Sequence, residues 1–423
     1  MTAHAMHHIQ RPDSLPLREA HAHLPSHGRS LAMLDLSQCT TRREALERVR
    51  ERAMTAGNDQ PWILGIGLRI HGFVDDPTWP TRQELDAIDA ARPICLMSFD
   101  HHSVVASTAA LAASGIELAA ADPPGGVICR DASGLATGVL LESAAMQVWN
   151  RAPQPTLEQW HTLVGLALHD LASHGFTQVH DLLSPLWLGP LLTQLDRAGA
   201  LPMSVWLYAP LAELDQHVAS GYGSRNVRLA GGKVFADGTL NSKTAWLLEP
   251  YRTPLPGLPR GSALLSETQL ADAMRQTASH QVGLAVHAIG DGAVRATLDA
   301  AKSTGTGGLV RDVPALRIEH CELIDPADVP RFAQQRIVAS VQPCHLIPDA
   351  PVLARELPDQ SHRILPLRQL VDSGCTPGDL LWMGSDTPIV RPHPVDSVFA
   401  SMHRTDGQPP LTQDECWRAF AAP

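Results

Sequence analysis

Eight short apolar runs, each ending in or next to a polar residue, recur along the 423 residues of the chain. Stretches with helical character, such as residues 41–55, Leu157–His174 and Glu267–Ser279, separate many of them. In chain order the runs are Leu15–His23, Phe176–Leu183, Leu201–Ala209, Val227–Phe235, Val282–Ala288, Ala315–Cys321, Ile337–Pro343 and Leu380–Asp386. Strands that alternate with helices are typical of a parallel sheet, so the pattern predicts an α/β fold.

The number of strand–helix units decides between two parallel-sheet architectures. Eight units favour a closed (β/α)8 TIM barrel over an open, doubly wound sheet. The open sheet is the structural alternative, but no G-x-G-x-x-G motif follows the first run. Since this length also suits one barrel with insertions, we expect residues 1–423 to form a single barrel domain.

Residues 58–150 interrupt the alternation of strands and helices. They contain at least four further strand-like pieces, which are Trp62–Leu68, Ile94–Phe99, Gly126–Arg130 and Thr137–Leu141. Turn-forming stretches rich in Gly, Pro, Asp and Ser lie between the later pieces. This pattern predicts a β-rich subdomain inserted between the first and second strands of the barrel.

Composition and charge argue against several classes of protein. The formal net charge is −11 and the basic residues form no long cluster, which disfavours nucleic acid or an anionic membrane as the main partner. Seven scattered cysteines without a CxxC pair disfavour a disulfide framework or a zinc knuckle. Residues 1–12 show no apolar leader, and no apolar run has membrane-spanning length. We expect a cytoplasmic protein with a small-molecule substrate, and leave homo-oligomerisation open.

The histidine pair His21 and His23 is the first candidate for chemistry. Alternate residues of a strand point to the same side, so both imidazoles could reach one metal ion. By itself the pair is weak evidence, because about one HxH is expected by chance in a chain with so many histidines. Its meaning depends on what the later strands contribute.

Four later strands bring further polar groups to the same end of the predicted barrel, namely Lys233, His287, His320 and Asp386. Imidazole nitrogens and carboxylate oxygens suit a borderline divalent ion such as zinc. Each residue alone has an ordinary explanation: a core histidine, a surface or ion-paired lysine, or an aspartate that caps a turn. Their joint placement at strand ends favours a metal site.

Seven segments form long and specific motifs. They are EAHAHLPSHG at 19–28, DPPGGVICRDASGLATGVLLE at 122–142, GGKVFADGTLNSKTAWLLEPY at 231–251, AVHAIGDGAV at 285–294, RIEHCELIDPADVPRFA at 317–333, ASVQPCHL at 339–346 and MGSDTPIV at 383–390. With these motifs the chain resembles the amidohydrolase superfamily, and within it the YtcJ-like branch, amidohydrolase family 3, which includes N-substituted formamide deformylases.

The resemblance implies a role for each matching residue. His21 and His23 would hold the more buried of two metal ions together with Asp386, and His287 and His320 would hold the second. Lys233 matches a lysine that is carbamylated in binuclear members and bridges the two ions. A lysine ammonium has no acceptor atom, so only the carbamate could bind metal. One or two divalent ions, zinc being favoured, are implied.

The reaction that the resemblance implies is hydrolysis of an amide-like C–N bond, other than a peptide bond, by metal-activated water. Asp386 would accept a proton from the water and pass it to the leaving nitrogen. Two alternatives stay open. One is a barrel that binds a small molecule or a partner without catalysis, and the other is an ester or phosphotriester hydrolase with the same metal site.

Further candidates surround the predicted site. Residues proposed to contact the substrate are His102, Asp237, Asn241, Lys243 and His345. His102 belongs to a segment that the family writes as RxDGH and that reads SFDHH here, and Asp237 with Gly238 fits a simple turn equally well. Asp291 is predicted to orient the His287 imidazole as a hydrogen-bond acceptor.

Family members usually carry a small β-sandwich, built from segments before the HxH pair and after the barrel. In this sequence the pair stands at residues 21–23 of 423. We therefore expect the flanking sandwich to be absent, and the barrel surface that it would cover to be polar or bound to a partner.

Overall fold

The computed structural model describes residues 9–12, 14–57, 61–99, 103–255 and 257–423, which fall into two compact units. One unit comprises Leu168–Pro423 and the chain up to Leu24, and the other comprises Pro25–Ala167. The strands, in chain order, are β1 (Leu17–Ala22), β2 (Leu34–Asp35), β3 (Ile63–Leu68), β4 (Ile94–Ser98), β5 (Ser103–Ala106), β6 (Gly126–Arg130), β7 (Ala136–Glu142), β8 (Phe176–Leu182), β9 (Ser204–Pro210), β10 (Val227–Phe235), β11 (Gly283–Ala288), β12 (Leu309–Val310), β13 (Val313–Pro314), β14 (Leu316–His320), β15 (Val338–Val341) and β16 (Leu381–Met383).

Helices follow most of these strands. They are α1 (Leu24–Ala32), α2 (Arg42–Thr55), α3 (Arg82–Ile88), α4 (Thr108–Ala113), α5 (Ser143–Arg151), α6 (Leu157–Ser173), α7 (Leu188–Arg197), α8 (Leu214–Ser220), α9 (Glu267–Ser279), α10 (Asp291–Thr304), α11 (Val329–Gln335), α12 (Leu346–Glu356), α13 (Leu367–Asp372), α14 (Pro394–Met402) and α15 (Gln413–Ala419). Within the described ranges, none of the helices combines the length and apolarity needed to span a bilayer.

Eight parallel strands form one barrel-like sheet in the first unit. Their order is β1-β8-β9-β10-β11-β14-β15-β16. Sheet neighbours are therefore successive in the chain except at two places: β2–β7 lie between β1 and β8, and the short strands β12 and β13 lie between β11 and β14. The two ends of the sheet meet where the amide of Asp386 donates to the His21 carbonyl at 2.8 Å and the amide of His23 donates to the Thr387 carbonyl at 3.0 Å. The arrangement fits the predicted TIM barrel, and a strand lies in each of the eight apolar runs.

The second unit is built on a six-stranded mixed sheet of order β2-β3-β4-β5-β7-β6, which the chain forms between β1 and β8. Side chains of β4 alternate between two apolar clusters: Ile94 and Leu96 pack in one, and Cys95 and Met97 in the other. Because successive strand residues face opposite sides, both faces of the sheet are covered. The predicted range 58–150 lies inside this unit, which also contains the unpredicted strands β2 and β5.

Side-chain caps explain where two predicted helices begin. The Thr41 hydroxyl accepts from the Glu44 amide at 3.0 Å at the start of α2. At the start of α9, Ser266 and Gln269 form a reciprocal capping box. Each cap satisfies amide groups that have no partner inside the first helical turn. The predicted helices at 41–55, Leu157–His174 and Glu267–Ser279 are confirmed to within one residue at each end.

A charged network lies inside the barrel. The fully buried Arg317 side chain in β14 forms an ion pair with Glu319. It also donates to Ser340 Oγ at 2.9 Å and lies 2.7 Å from His180 Nδ1. A buried charge is tolerated when it is paired and fully hydrogen-bonded. Arg317 therefore links β14, β15 and β8 through the barrel interior.

We expect Arg317→Ala to destabilise the barrel by about 3–5 kcal/mol, because it leaves the Glu319 carboxylate buried without its counter-charge. Arg418→Ala is the matched control, since Arg418 is 66% exposed and pairs with Asp414 on the surface of α15. Its loss should cost no more than about 0.5 kcal/mol. Chemical denaturation of both variants checks this prediction, and equal shifts in the two midpoints would contradict it.

Candidate metal centre

All six residues predicted as metal ligands lie towards the carboxyl ends of barrel strands. His21 is in β1 and His23 follows it, while Lys233, His287 and His320 lie in β10, β11 and β14, and Asp386 follows β16. The imidazole of His21 is central, with its ring centroid 5.5 Å from that of His23 and 4.8 Å from that of His320. The ring of His287 lies 4.4 Å from that of His320. The barrel thus brings the four histidines into one cluster.

Asp386 Oδ1 lies between the first two histidines. It is 3.2 Å from His21 Nε2 and 3.0 Å from His23 Nε2, and one ligand atom from each residue lies within 4.8 Å of the others. Although buried, this oxygen makes no hydrogen bond to any residue in the described ranges. Three ligand atoms that converge in this way, without hydrogen bonds between them, fit a shared cation.

The outer nitrogens of both histidines are held by the protein. His21 Nδ1 lies 2.8 Å from Glu319 Oε2, and His23 Nδ1 lies 2.6 Å from the Leu182 carbonyl oxygen. A donor nitrogen fixed by an acceptor leaves the other ring nitrogen, Nε2, as the ligand atom. Glu319 is not among the residues predicted from the sequence, although it is the residue before His320 in a buried strand.

Glu319 remains ionised in the barrel interior. Burial alone would raise the pKa of its carboxyl, but the Arg317 guanidinium and the His21 imidazole outweigh burial and hold it well below the usual range. A carboxylate that accepts from His21 Nδ1 also fixes the orientation of the imidazole. Arg317 therefore acts on His21 through Glu319.

Lys233 has the surroundings of an unusually reactive amine. Its side chain is buried, and Nζ has no hydrogen-bond partner among the described residues. Burial lowers the pKa of this amine to about 8. A larger fraction of neutral amine is therefore present near neutral pH than for an ordinary lysine.

His287 and His320 are held as neutral imidazoles. Burial, followed by the charge of Lys233, lowers the pKa of His287 to about 3. Burial, followed by His287, lowers the pKa of His320 well below its ordinary value. His320 Nδ1 is buried and makes no hydrogen bond to a described residue. Neutral imidazole is the form that binds metal ions.

The predicted pairing of Asp291 with His287 is wrong. Asp291 starts α10, where its carboxylate accepts from the Leu248 amide at 2.8 Å and from Arg363 at 2.6 Å. His287 Nε2 lies 3.1 Å from the Gly238 carbonyl oxygen, and the carboxylate beside it belongs to Asp237, whose Oδ1 is 3.6 Å away. At the first position of a helix, the Asp291 side chain is turned towards the loop and Arg363 instead of the barrel axis.

Asp237 connects the loops after β10 and β11. Its carboxylate accepts from the amides of Trp246, Ile289 and Gly290 at 2.9, 3.0 and 2.8 Å. Burial raises the pKa of this carboxyl to about 7. These three bonds occupy both oxygens, so the observed contacts of Asp237 are with the backbone. Its predicted contact with substrate stays a prediction.

The other predicted substrate residues differ in their surroundings. Asn241 Nδ2 donates to Asp349 Oδ1 at 2.8 Å, and Lys243 Nζ donates to the Thr253 carbonyl at 2.7 Å. His345 is closest to the centre, because its imidazole forms a possible ligand group with His320 and Asp386. His102 lies outside the described residues. Contact of these four with substrate stays a prediction.

A second group of side chains that could bind a metal ion includes His345 and was not predicted from the sequence. Ligand atoms of Glu322, His345 and Asp349 lie within 4.8 Å of one another, and all three residues are buried. His345 and Asp349 are four residues apart at the start of α12, a spacing that places side chains on one helix face. That spacing is the sequence feature from which this group could have been predicted.

A sequence model of the amidohydrolase family matches residues 16–416. The chain belongs to the amidohydrolase family. The resemblance predicted from the seven motifs is thereby confirmed. Among curated amidohydrolase relatives, YtcJ of Bacillus subtilis is 27% identical over 422 residues, which is 96% of this chain and 76% of YtcJ. The N-substituted formamide deformylase of Arthrobacter pascens is 25% identical over 424 residues, with 96% and 76% covered.

The amidohydrolase fold is shared with a solved structure. The crystal structure of an uncharacterized metal-dependent hydrolase from Pyrococcus furiosus superposes with a TM-score of 0.75 at 24% sequence identity. The match covers 96% of this chain and 80% of that one. At this identity the likeness establishes the fold.

We expect Asp237→Asn to destabilise the barrel by about 1–3 kcal/mol, because an amide nitrogen then faces a buried backbone N–H. Hydrogen exchange should accelerate at the amides of Trp246, Ile289 and Gly290, which bond this carboxylate. Asp215→Asn is the control, since the Asp215 side chain is 77% exposed. Unchanged exchange at all three amides would show that the carboxylate does not hold these loops.

Proposed function

We propose that the chain is a metal-dependent hydrolase that cleaves an amide-like C–N bond other than a peptide bond. Membership of the amidohydrolase family supports hydrolysis, and the name of the Arthrobacter relative supports an amide-like substrate. The observation that carries the proposal is the buried Asp386 Oδ1 atom, which lies 3.2 and 3.0 Å from two imidazole nitrogens without a hydrogen bond to either.

The donor set at this point fits a divalent ion. His21 and His23 offer Nε2 and Asp386 offers Oδ1, and two imidazoles with one carboxylate suit zinc. Burial raises the pKa of the Asp386 carboxyl, but His21 and then His23 outweigh burial and hold it well below the usual range. The carboxylate is therefore ionised at neutral pH. A buried oxygen with that charge is stabilised by a cation.

A second ion would depend on Lys233. His287 and His320 are neutral imidazoles in the same cluster, and Lys233 has a buried, unpartnered amine of lowered pKa. Carbamylation adds carbon dioxide to the neutral amine with release of a proton, and gives a carbamate whose anionic oxygen could bind metal. We propose that the site holds one ion without this modification and two with it.

A divalent ion held here would act as a Lewis acid on the substrate carbonyl and would lower the pKa of water to about 7. Asp386 is the residue of this chain placed to accept a proton from that water at a carboxylate oxygen. It can then donate the same proton to the leaving nitrogen, which would otherwise depart as an unstable anion. Glu319 and the Leu182 carbonyl keep the two imidazoles in one orientation throughout.

We also propose a cellular compartment and a substrate type for the protein. All seven cysteines are free in the structure, which agrees with a reducing, cytoplasmic setting. The substrate is proposed to be a small molecule, and homo-oligomers are compatible with this proposal.

Asp386→Asn should lower kcat/KM by about 10²–10⁴-fold, because the amide cannot accept and return a proton. Purified wild-type protein should contain one or two equivalents of a divalent metal by elemental analysis. Asp272→Asn, on the exposed surface of α9, is the matched control and should keep full activity. A folded wild-type protein that neither contains nor binds a divalent metal would overturn the proposed function.

A substrate panel separates the proposed bond class from its alternatives. Simple amides, N-substituted formamides, lactones and phosphotriesters are offered to the metal-loaded protein, with Asp386→Asn as the blank. We expect kcat/KM to be at least about tenfold higher for the amide-like compounds, a difference of about 1.4 kcal/mol in transition-state binding. Faster turnover of lactones or phosphotriesters would reassign the bond, and no turnover of any compound would favour a binding protein.

A further inference from the structure

A buried guanidinium without a counter-charge lies at the end of the barrel opposite the metal centre. Arg18 is the second residue of β1, whereas His21 and His23 lie towards the other end of this strand. Arg18 is 2% exposed. Its Nε and Nη2 atoms make no hydrogen bond with any residue in the described ranges. Burying such a group is unfavourable unless something accepts from it.

The neighbours of Arg18 compensate this charge only in part. Its Cζ atom lies 3.8 Å from the centre of the Trp382 ring, a favourable cation–π contact. Burial, followed by the positive charge of Arg317, lowers the pKa of Arg18 to about 9, so the guanidinium stays charged at neutral pH. The Glu319 carboxylate is engaged by Arg317 and His21. The described residues thus leave one positive charge unpaired here.

Arg18 lines a cavity of about 120 Å³. Other lining residues come from the loops that lead into the last barrel strands, among them Gly308, Arg336 and Gly378, and from β16, which contributes Trp382. Two side-chain carboxylates, those of Asp312 and Asp379, also reach this cavity, as does Pro423 with its terminal carboxylate. All three residues are exposed, and Asp379 lies 3.9 Å from Arg336. Water screens these rim charges far more than it screens Arg18. The volume suits one small anion or a few water molecules.

The two unpartnered nitrogens of Arg18, Nε and Nη2, are the pair that can bind one oxyanion through two hydrogen bonds, and we call them the fork of Arg18. The N–H groups on Nε and Nη2 are parallel along one edge of a guanidinium, the edge that binds two oxygens of one carboxylate or phosphate. We propose that this cavity binds a small oxyanion of the carboxylate or phosphate type, anchored by the fork of Arg18. The site is separate from the metal centre, and its occupant stabilises the barrel.

Thermal unfolding of the full chain tests the proposal. Sodium acetate and sodium phosphate are titrated separately at fixed pH, with sodium chloride holding the ionic strength constant. We expect a saturable rise in Tm of about 2–5 °C with at least one oxyanion. Response to acetate alone assigns a carboxylate, and response to phosphate alone assigns a phosphate. A rise that is linear and unsaturated, or absent with both, overturns the proposal.

Variants connect the effect to the Arg18 fork. Arg18→Met should abolish the saturable rise, and Arg18→Lys should weaken anion binding at least about tenfold, because an ammonium keeps the charge but loses the parallel donors. Arg275→Met is the control, since the Arg275 side chain on α9 is 59% exposed and is not among the residues that line this cavity. Its titration should match that of the wild type. Wild-type behaviour of Arg18→Met contradicts the assignment.

A crystal of the wild-type chain grown with selenate keeps the proposal testable if Arg18→Met does not fold. An anomalous selenium peak within hydrogen-bond distance of Arg18 Nε and Nη2 supports it. Water alone at this position, in crystals that contain selenate, overturns it.

Discussion

The seam that closes the barrel is also the place where the first three candidate metal ligands, His21, His23 and Asp386, meet. The amide of Asp386 donates to the His21 carbonyl, and the amide of His23 donates to the Thr387 carbonyl. These two bonds join the last strand to the first and set the separation between Asp386 and both histidines. A residue 365 positions away in the chain therefore meets His21 because the sheet closes.

Electrostatic support for this seam comes from inside the barrel. Arg317 holds Glu319 ionised, Glu319 accepts from His21 Nδ1, and His21 presents Nε2 to Asp386. The order matters because each contact orients the next group. A buried pair such as Arg317 and Glu319 contributes little net stability by itself. Its value lies in keeping one tautomer of His21, which an apolar core could not do.

The fold could be predicted from the sequence because its signal is local. Eight apolar runs separated by helical stretches are enough to define eight buried parallel strands, and a strand was found in each run. β2 has two residues and β5 has four, so neither gives a periodic pattern long enough to recognise. The strand ends also placed the six candidate ligands in one region, since parallel strands share a carboxyl edge.

The contacts between side chains could not be predicted in the same way. Asp291 was assigned to His287 because it is close in sequence, yet its carboxylate pairs with Arg363, and His287 Nε2 lies 3.1 Å from the Gly238 carbonyl oxygen. Glu319 was not predicted, although its ion-pair partner Arg317 is two residues away in the same strand. Its contact with His21 of β1 joins residues 298 positions apart, and local pattern carries no information about such a contact.

Two of the candidate ligands also have a backbone conformation that is rare for their residue types. Asp386 and His320 both have positive φ, at 61° and 72°, which non-glycine residues rarely adopt. A strand residue such as His320 would be more stable in an extended conformation, so the surrounding structure must hold it there. Local preference disfavours this conformation at both positions, so the sequence pattern alone does not predict it.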